Sequence, residues 1–456
     1  MLAVLMFYVL HSWINTNRYY LIFLGVYMCV LYILSRNIYK TVWIALASSF
    51  PFQQAKYFTS VFHSFYYPNA RIVPVTYFIS YSDALILLLL YLFIRRRSKF
   101  SLSVDIPSLF LIPLVIVGGI ATYMSQYFTI ALFGLYQAMK LCIVYVLSRL
   151  VLKEKWGTRT TLDVFLLFVL YNAILIILQR IAGGPLGLPV ETLNASSLYG
   201  RYALELRSLY RPGGFTDDPN ASATILGMFI PFLTILGLTR NAFHKTLVWI
   251  TLICATVALL CTASRSVWIV TTILVGLSVY RIYHLRLIRI PKFLRIHGYW
   301  IGILVTLFAA PLIYLRISTL QQAFSDTGSG TFRLIHLRIA VNTMLSYPWG
   351  TGLGTTPLEL INRFPPAYYM FDPSELHSIF AQIAASLGIP GLLCFVLFIY
   401  SLLKRHIQSY QEHKTRVLPY AIFMSMISYL MTANFYPWFL NVQISGFFWI
   451  LAAYTI

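Results

Sequence analysis

Apolar residues in this chain come in long unbroken blocks, and polar residues come in short clusters between them. A helix needs about 20 mostly apolar residues to cross about 30 Å of hydrocarbon. On that rule the pattern predicts spans near 3–14, 19–35, 39–55, 76–94, 106–123, 128–151, 160–182, 221–238, 245–263, 266–283, 298–315, 380–403, 417–434 and 439–456. The first and third are short, and an interfacial or re-entrant path suits them equally. Inside lipid every backbone N–H and C=O must be satisfied within the segment, which favours helices. The expected fold is an all-α polytopic bundle of about 12–14 transmembrane helices with two long loops. Those loops are 183–220 and 316–379.

Composition agrees: 59% of the 456 residues are apolar and 10% are charged. The net charge of +21 adds an orientation. Arg95 to Lys99, Lys153 to Lys155, Arg240 to Lys245, Arg286 to Arg295 and Lys404 to Arg416 all fall between spans on one side. By the positive-inside rule that side is cytoplasmic, facing anionic headgroups of the bilayer. Both long loops then face outward. There is no soluble basic domain, so nucleic acid is not an expected partner. The cysteines all lie within spans and form no CxxC, so neither a disulfide framework nor a metal site is expected. No removable signal peptide is expected either.

Chemistry concentrates in the polar clusters. In Arg211 to Asn220, Asp218 and Pro219 read as an N-cap and first helical residue. Gly213 and Gly214 allow a tight loop. Arg211 is therefore expected over a helix N-terminus, where free N–H groups and a bidentate guanidinium suit a phosphate. In the competing reading Arg211 pairs with Asp217 or Asp218 and only fastens the loop. In the second loop, Arg333 is expected in the first turn of a helix ending near Ser346, where a cation calls for a compensating anion. Its apolar positions Phe332, Ile335, Ile339 and Leu345 favour a helix lying against the membrane or the bundle. Asp372-Pro373-Ser374-Glu375 reads as a capping box, placing His377 one turn inside the next helix. A neutral histidine there suits a general base; His336 and Glu375 are its competitors. Ser264-Arg265-Ser266 interrupts an apolar region. Lys140 within a span and Asp83 near a span end each call for a partner, and nothing in the sequence pairs them.

In this order the clusters resemble the O-antigen ligase and O-antigen polymerase superfamily. The resemblance covers about 160–403. It rests on Arg-x-x-Gly-Phe-x-x-x-Pro-Asn (Arg211 to Asn220), the Ser264-Arg265 break, Arg333, the glycine stretch Pro348 to Gly354, and His377 followed by Leu387 to Leu392. It divides the chain into N-terminal helices (1–159), a ligase/polymerase-like catalytic region (160–403) and C-terminal helices (404–456). It implies a GT-C-like glycosyltransferase, inverting and without metal or other cofactor, in a bacterial inner membrane with its active site on the periplasmic face. The implied donor is a glycan on undecaprenyl diphosphate. The implied acceptor is a sugar hydroxyl, on lipid A core or on another carrier-linked repeat. Arg211, Arg333 and Arg265 are expected at the diphosphate, His377 as the catalytic base, and Gly213, Gly214, Asp218, Pro219 and Asn220 as the loop that shapes the site. Phe364, Tyr368, Tyr369 and Phe371 offer aromatic faces for sugars. A flippase or transporter of lipid-linked oligosaccharide is the rival reading; its working charges would lie near the membrane midplane.

Overall fold

The computed structural model describes residues 1–12, 17–50, 55–61, 75–96, 105–188, 210–216, 218–239, 244–284, 329–363, 376–412, 417–435 and 442–454. The expected span at 298–315, the loop aromatics, Asp217 and the Asp372 to Glu375 capping box lie outside them.

Fifteen helices form among the described residues. They are α1 (Leu2–Ser12), α2 (Asn17–Ser35), α3 (Ile38–Ser49), α4 (Tyr81–Arg95), α5 (Ile106–Met124), α6 (Phe128–Leu152), α7 (Gly157–Ala182), α8 (Pro219–Leu238), α9 (Lys245–Cys261), α10 (Arg265–His284), α11 (Ser329–Ser346), α12 (Thr356–Arg363), α13 (Ile379–Glu412), α14 (Val417–Ala433) and α15 (Val442–Ala452). Six of them, α5, α6, α7, α8, α10 and α13, are long and apolar enough to cross a membrane. Large apolar side chains stay on the outside of the bundle, such as Ile33 and Leu34, each 70% exposed. In water that surface would be costly; against acyl chains it is satisfied. The protein is an all-α polytopic membrane protein.

One addition to the expected fold is a two-stranded antiparallel ribbon, β1 (Ala55–Val61) with β2 (Val75–Ser80). Residues 75–79 are Val-Thr-Tyr-Phe-Ile, β-branched and aromatic throughout, which favours strand over helix. The span expected from 76 therefore begins as helix only at Tyr81. With α3 at 12 residues and α4 at 15, neither crosses the bilayer alone.

Described residues of three of the basic runs, Arg96, Glu154 and Arg405, lie at one end of the bundle. Arg96 bonds Glu154 at 2.8 Å. Asp105, the N-cap of α5, accepts from Ser108 N and from Arg149 Nη1 at 2.7 Å, and also from Arg405. One carboxylate thus ties α5, α6 and α13 together. Arg405 also donates to Ala452 O, drawing in α15.

Lys140 and Asp83 turn out to be partners, at 2.6 Å. Lys140 Nζ also donates to Ser80 Oγ at 2.9 Å, and Asp83 accepts from Ser80 N at 2.7 Å. Lys140 sits 12 residues beyond Phe128, about 18 Å along α6 and near the middle of a bilayer. Two charges in lipid are tolerated because each neutralises the other. Lys140→Met alone should strand the carboxylate and cost about 3–5 kcal/mol. Lys140→Met with Asp83→Leu should cost much less. Thermal unfolding in detergent checks this, and a double variant as unstable as the two singles combined would contradict it.

Candidate functional site

The opposite end of the bundle holds the Arg211 loop. Gly214 takes φ +59°, and a Cβ there would come within 2.3 Å of Asn172 Oδ1, so only glycine fits. The loop is held against α7 by side chains the sequence reading passed over. Gly214 N donates to Gln179 Oε1 at 2.8 Å, and Phe215 N donates to Asn172 Oδ1 at 3.1 Å. Both polar groups are fully buried on one face of an apolar helix. Their spacing of seven residues, two turns, was the available signal. Gly213 O accepts from Thr216 Oγ1 at 2.9 Å, and from Ser222 Oγ. Asp218 caps α8 as expected, accepting from Asn220 N at 2.7 Å, and Pro219 follows at the first helical position.

Arg211 is fixed by neutral acceptors: its Nε donates to Thr262 O at 3.0 Å and its Nη2 to Asn220 Oδ1 at 2.9 Å. Thr262 ends α9, Ala263 takes φ +54°, and Arg265 opens α10. The Ser264-Arg265 break is therefore the tight turn that Arg211 reaches across. Ser264 Oγ is buried there without a hydrogen bond among the described residues.

The second cluster contains Arg333, His336 and His377. α11 starts at Ser329, so Arg333 lies in its second turn rather than its first. The helix buries His336, Ile339, Ala340 and Thr343, at i, i+3, i+4 and i+7. Ile339 and Ala340 pack with Leu376, Ala381 and Ala385, and Ile335 packs beside them. Leu345 is 65% exposed and shares an outer stripe with Leu334, Leu337 and Val341. The helix has a protein-facing stripe and an exposed apolar stripe, as an element at the membrane boundary would.

His377 does not lie one turn inside a helix. α13 begins at Ile379, and Ser378 caps it by accepting from Ala381 N. His377 precedes the cap, and its backbone N–H donates to His336 Nδ1 at 3.2 Å. The two rings meet edge to face, 5.0 Å between centroids. Because His336 Nδ1 accepts, its ring proton sits on Nε2, and the lone pair a base would use is already engaged. Burial, and then the nearby His377, lowers the His336 pKa from 6.5 to about 3. The sign follows. The unfolded chain binds this proton below about 6.5 while the folded chain refuses it until about pH 3. The contribution to stability is full above that range and is lost as pH falls through it. His336→Gln should flatten the decline in unfolding temperature between pH 6.5 and 4; an unchanged decline would show that other groups cause it.

Arg333 stands over the Phe435 ring, Cζ 5.1 Å from its centroid. Its Nε is buried and has no hydrogen-bond acceptor among the described residues. Ser378 Oγ donates to Asn434 Oδ1 at 3.2 Å, so the His377 segment meets the same end of α14.

The two clusters share one end of the bundle. α8 and α14 are antiparallel, with Ser428 Oγ donating to Gly227 O at 2.6 Å and Ser425 Oγ to Met228 O at 2.8 Å. From the first crossing, seven residues outward reach Asn220 on α8 and Phe435 just past α14. The acceptor of Arg211 and the ring under Arg333 are thus level, on neighbouring helices.

A dipping loop completes this end. Thr351 N and Gly352 N donate to Ala385 O and Ser386 O at 3.1 and 2.9 Å, and Ile389 N donates to Pro348 O at 3.0 Å. These bonds use two carbonyls and one N–H freed where α13 breaks at Gly388, φ +66° and ψ −164°. A Cβ at Gly388 would meet Pro348 O at 1.9 Å. The Pro348 to Gly354 stretch is thus a backbone plug in a broken helix, which membranes tolerate where protein covers it.

Residues 223–396 match the family model described as O-antigen ligase. The match supports the O-antigen ligase/polymerase superfamily for this stretch. The stretch holds Arg265, Arg333, His336 and His377, the dipping loop and the α13 break. The Arg211 to Asn220 loop lies just before its first matched residue. No curated protein matches the chain. The match supports, in general terms, a membrane enzyme of the ligase/polymerase type that handles lipid-linked sugar at the bilayer.

Proposed function

We propose that the chain transfers a glycan from an undecaprenyl-diphosphate carrier to a sugar hydroxyl, at the end of the bundle opposite the basic runs. The observation that carries this reading is Arg333. A guanidinium over the Phe435 ring, with a buried Nε–H that has no acceptor among the described residues, stands one helical turn from His336 and so beside His377. A buried charged donor without an acceptor calls for an anion from outside the described chain.

Arg333 and Arg211 hold the diphosphate, with Arg265 on the adjoining turn. As the anomeric carbon–oxygen bond breaks, its electron pair goes to the diphosphate, and the guanidinium ions stabilise that charge. His377 takes the proton of the acceptor hydroxyl as its oxygen bonds the anomeric carbon from the opposite face, inverting the configuration. His336 anchors the His377 backbone by accepting its N–H at Nδ1. This chemistry asks for no metal, and EDTA should leave the rate within about twofold, well short of the 10²–10⁴-fold loss that follows removal of an essential catalytic group.

The test is incubation of purified protein with carrier-linked glycan and either lipid A core or a second carrier-linked repeat. Product with the first acceptor makes it a ligase; product with the second makes it a polymerase. Activity abolished by EDTA and restored by Mg²⁺ would move the site to Asp217 and Asp218. The midplane pair Lys140–Asp83 favours the transporter reading. Flipping of carrier-linked glycan in vesicles, with no transfer product, would establish that reading instead.

A further inference from the structure

Ser264 stands immediately before α10, and Trp268 N donates to its carbonyl at 3.1 Å, so it holds the N-cap position of that helix. A serine there ordinarily turns its hydroxyl onto an N–H of the first turn. Ser264 does not. The residue is 1% exposed, and its Oγ has no hydrogen-bond partner among the described residues. The N–H groups of Arg265, Ser266 and Val267 precede the first intrahelical bond of α10, and this hydroxyl leaves them uncapped. A buried hydroxyl without a partner is unfavourable unless a bound group completes it.

The surroundings of this hydroxyl are positive. α10 has no acidic residue in its first turn, and its N-terminus carries the positive end of a 20-residue helix. Arg211 lies across the same turn, donating through Nε to Thr262 O and through Nη2 to Asn220 Oδ1. Both acceptors are neutral, so neither bond cancels its charge. Asn220 is in the first turn of α8, so Arg211 ties the starts of α8 and α10 together. An uncommitted O–H, a guanidinium and uncapped N–H groups are all donors. Together they match a charged group that only accepts, such as a phosphate.

Resting on the diphosphate reading above, we propose that the α9–α10 turn seats one phosphate of the carrier diphosphate, and that Ser264 Oγ donates a hydrogen bond to one of its oxygens. Ser264 is thus a donor-substrate contact beside Arg211. A serine hydroxyl changes position by rotation about one bond, so its buried rotamer does not bar it from the ligand.

The probe is undecaprenyl diphosphate titrated into the full-length protein in mild detergent, with the unfolding temperature measured without ligand. Ser264→Ala should weaken binding about tenfold or more, the worth of a hydrogen bond to a charged group. Its unfolding temperature without ligand should match wild type, whereas a capping serine would lose stability on the same change. Ser264→Cys, similar in shape but a weak donor, should lose affinity in the same direction. Wild-type affinity in Ser264→Ala overturns the proposal and leaves the diphosphate reading standing, with the hydroxyl serving only a water. A fall in the unfolding temperature of both variants makes Ser264 a structural cap and overturns it too. If Ser264→Ala does not fold, Ser264→Cys decides, and wild-type affinity there overturns the proposal. Failure of the wild-type chain to bind undecaprenyl diphosphate is a separate result: it refutes the diphosphate reading itself, and this proposal with it.

Discussion

His377→Ala should lower turnover by roughly 10²–10⁴-fold while leaving donor affinity nearly intact, the range expected for loss of a general base. His377 precedes the Ser378 cap of α13, and its hydrogen bond to His336 runs through its backbone N–H. The neighbouring histidine cannot take over, because its Nδ1 is occupied and burial has suppressed its basicity. Removing the His377 ring leaves the Arg333–Phe435 stack in place, so the diphosphate still finds its cation. Measured donor affinity and single-turnover rate separate the two effects. An affinity that collapses while the saturated rate is normal would make His377 a binding residue and send the search for a base to Glu375.

Arg211→Ala should weaken donor binding and turnover together, because diphosphate is anionic in the ground state and more so in the transition state. One truncated charged contact should cost about 2–4 kcal/mol, or 30- to 1,000-fold in kcat/KM. Arg211→Lys should recover little of this. Nε and Nη2 hold Thr262 O and Asn220 Oδ1 in two directions at once, which an ammonium on a flexible stem cannot reproduce. A lysine variant with near wild-type kcat/KM would mean that Arg211 supplies only charge at a distance. The alanine variant also loses the link between the loop and the α9–α10 turn, so its unfolding temperature must be read beside its rate.

Much of this architecture was legible because lipid imposes a simple rule. Apolar length marks spans, and α5, α6, α7, α8 and α10 fall within a few residues of their expected bounds. The Asp218-Pro219 start of α8 was equally plain, because capping chemistry is local. The failures have physical causes too. Residues 75–79 look like part of a span because they are apolar, yet they are strand, since the ribbon with β1 satisfies their backbone. His377 was displaced from its helix because Ser378 caps α13 in competition with the residues before it. Asp83 and Lys140, 57 residues apart in sequence, could not be paired from sequence because their meeting depends on how α4 packs against α6. Asn172 and Gln179 went unnoticed because a polar residue in an apolar helix announces a partner without naming it; the partner is the backbone of the Gly214 loop. The placing of Arg211 level with Arg333 rests on the α8–α14 register, which no local pattern encodes.

The central claim is that Arg211 and Arg333 grip one diphosphate. The most direct test is a double-variant cycle on binding of undecaprenyl diphosphate to Arg211→Ala, Arg333→Ala and the combination. A shared ligand predicts that the combined loss departs from the sum of the single losses by about 0.5 kcal/mol or more. Losses that add within about 0.3 kcal/mol would place the two arginines at separate sites and contradict the account.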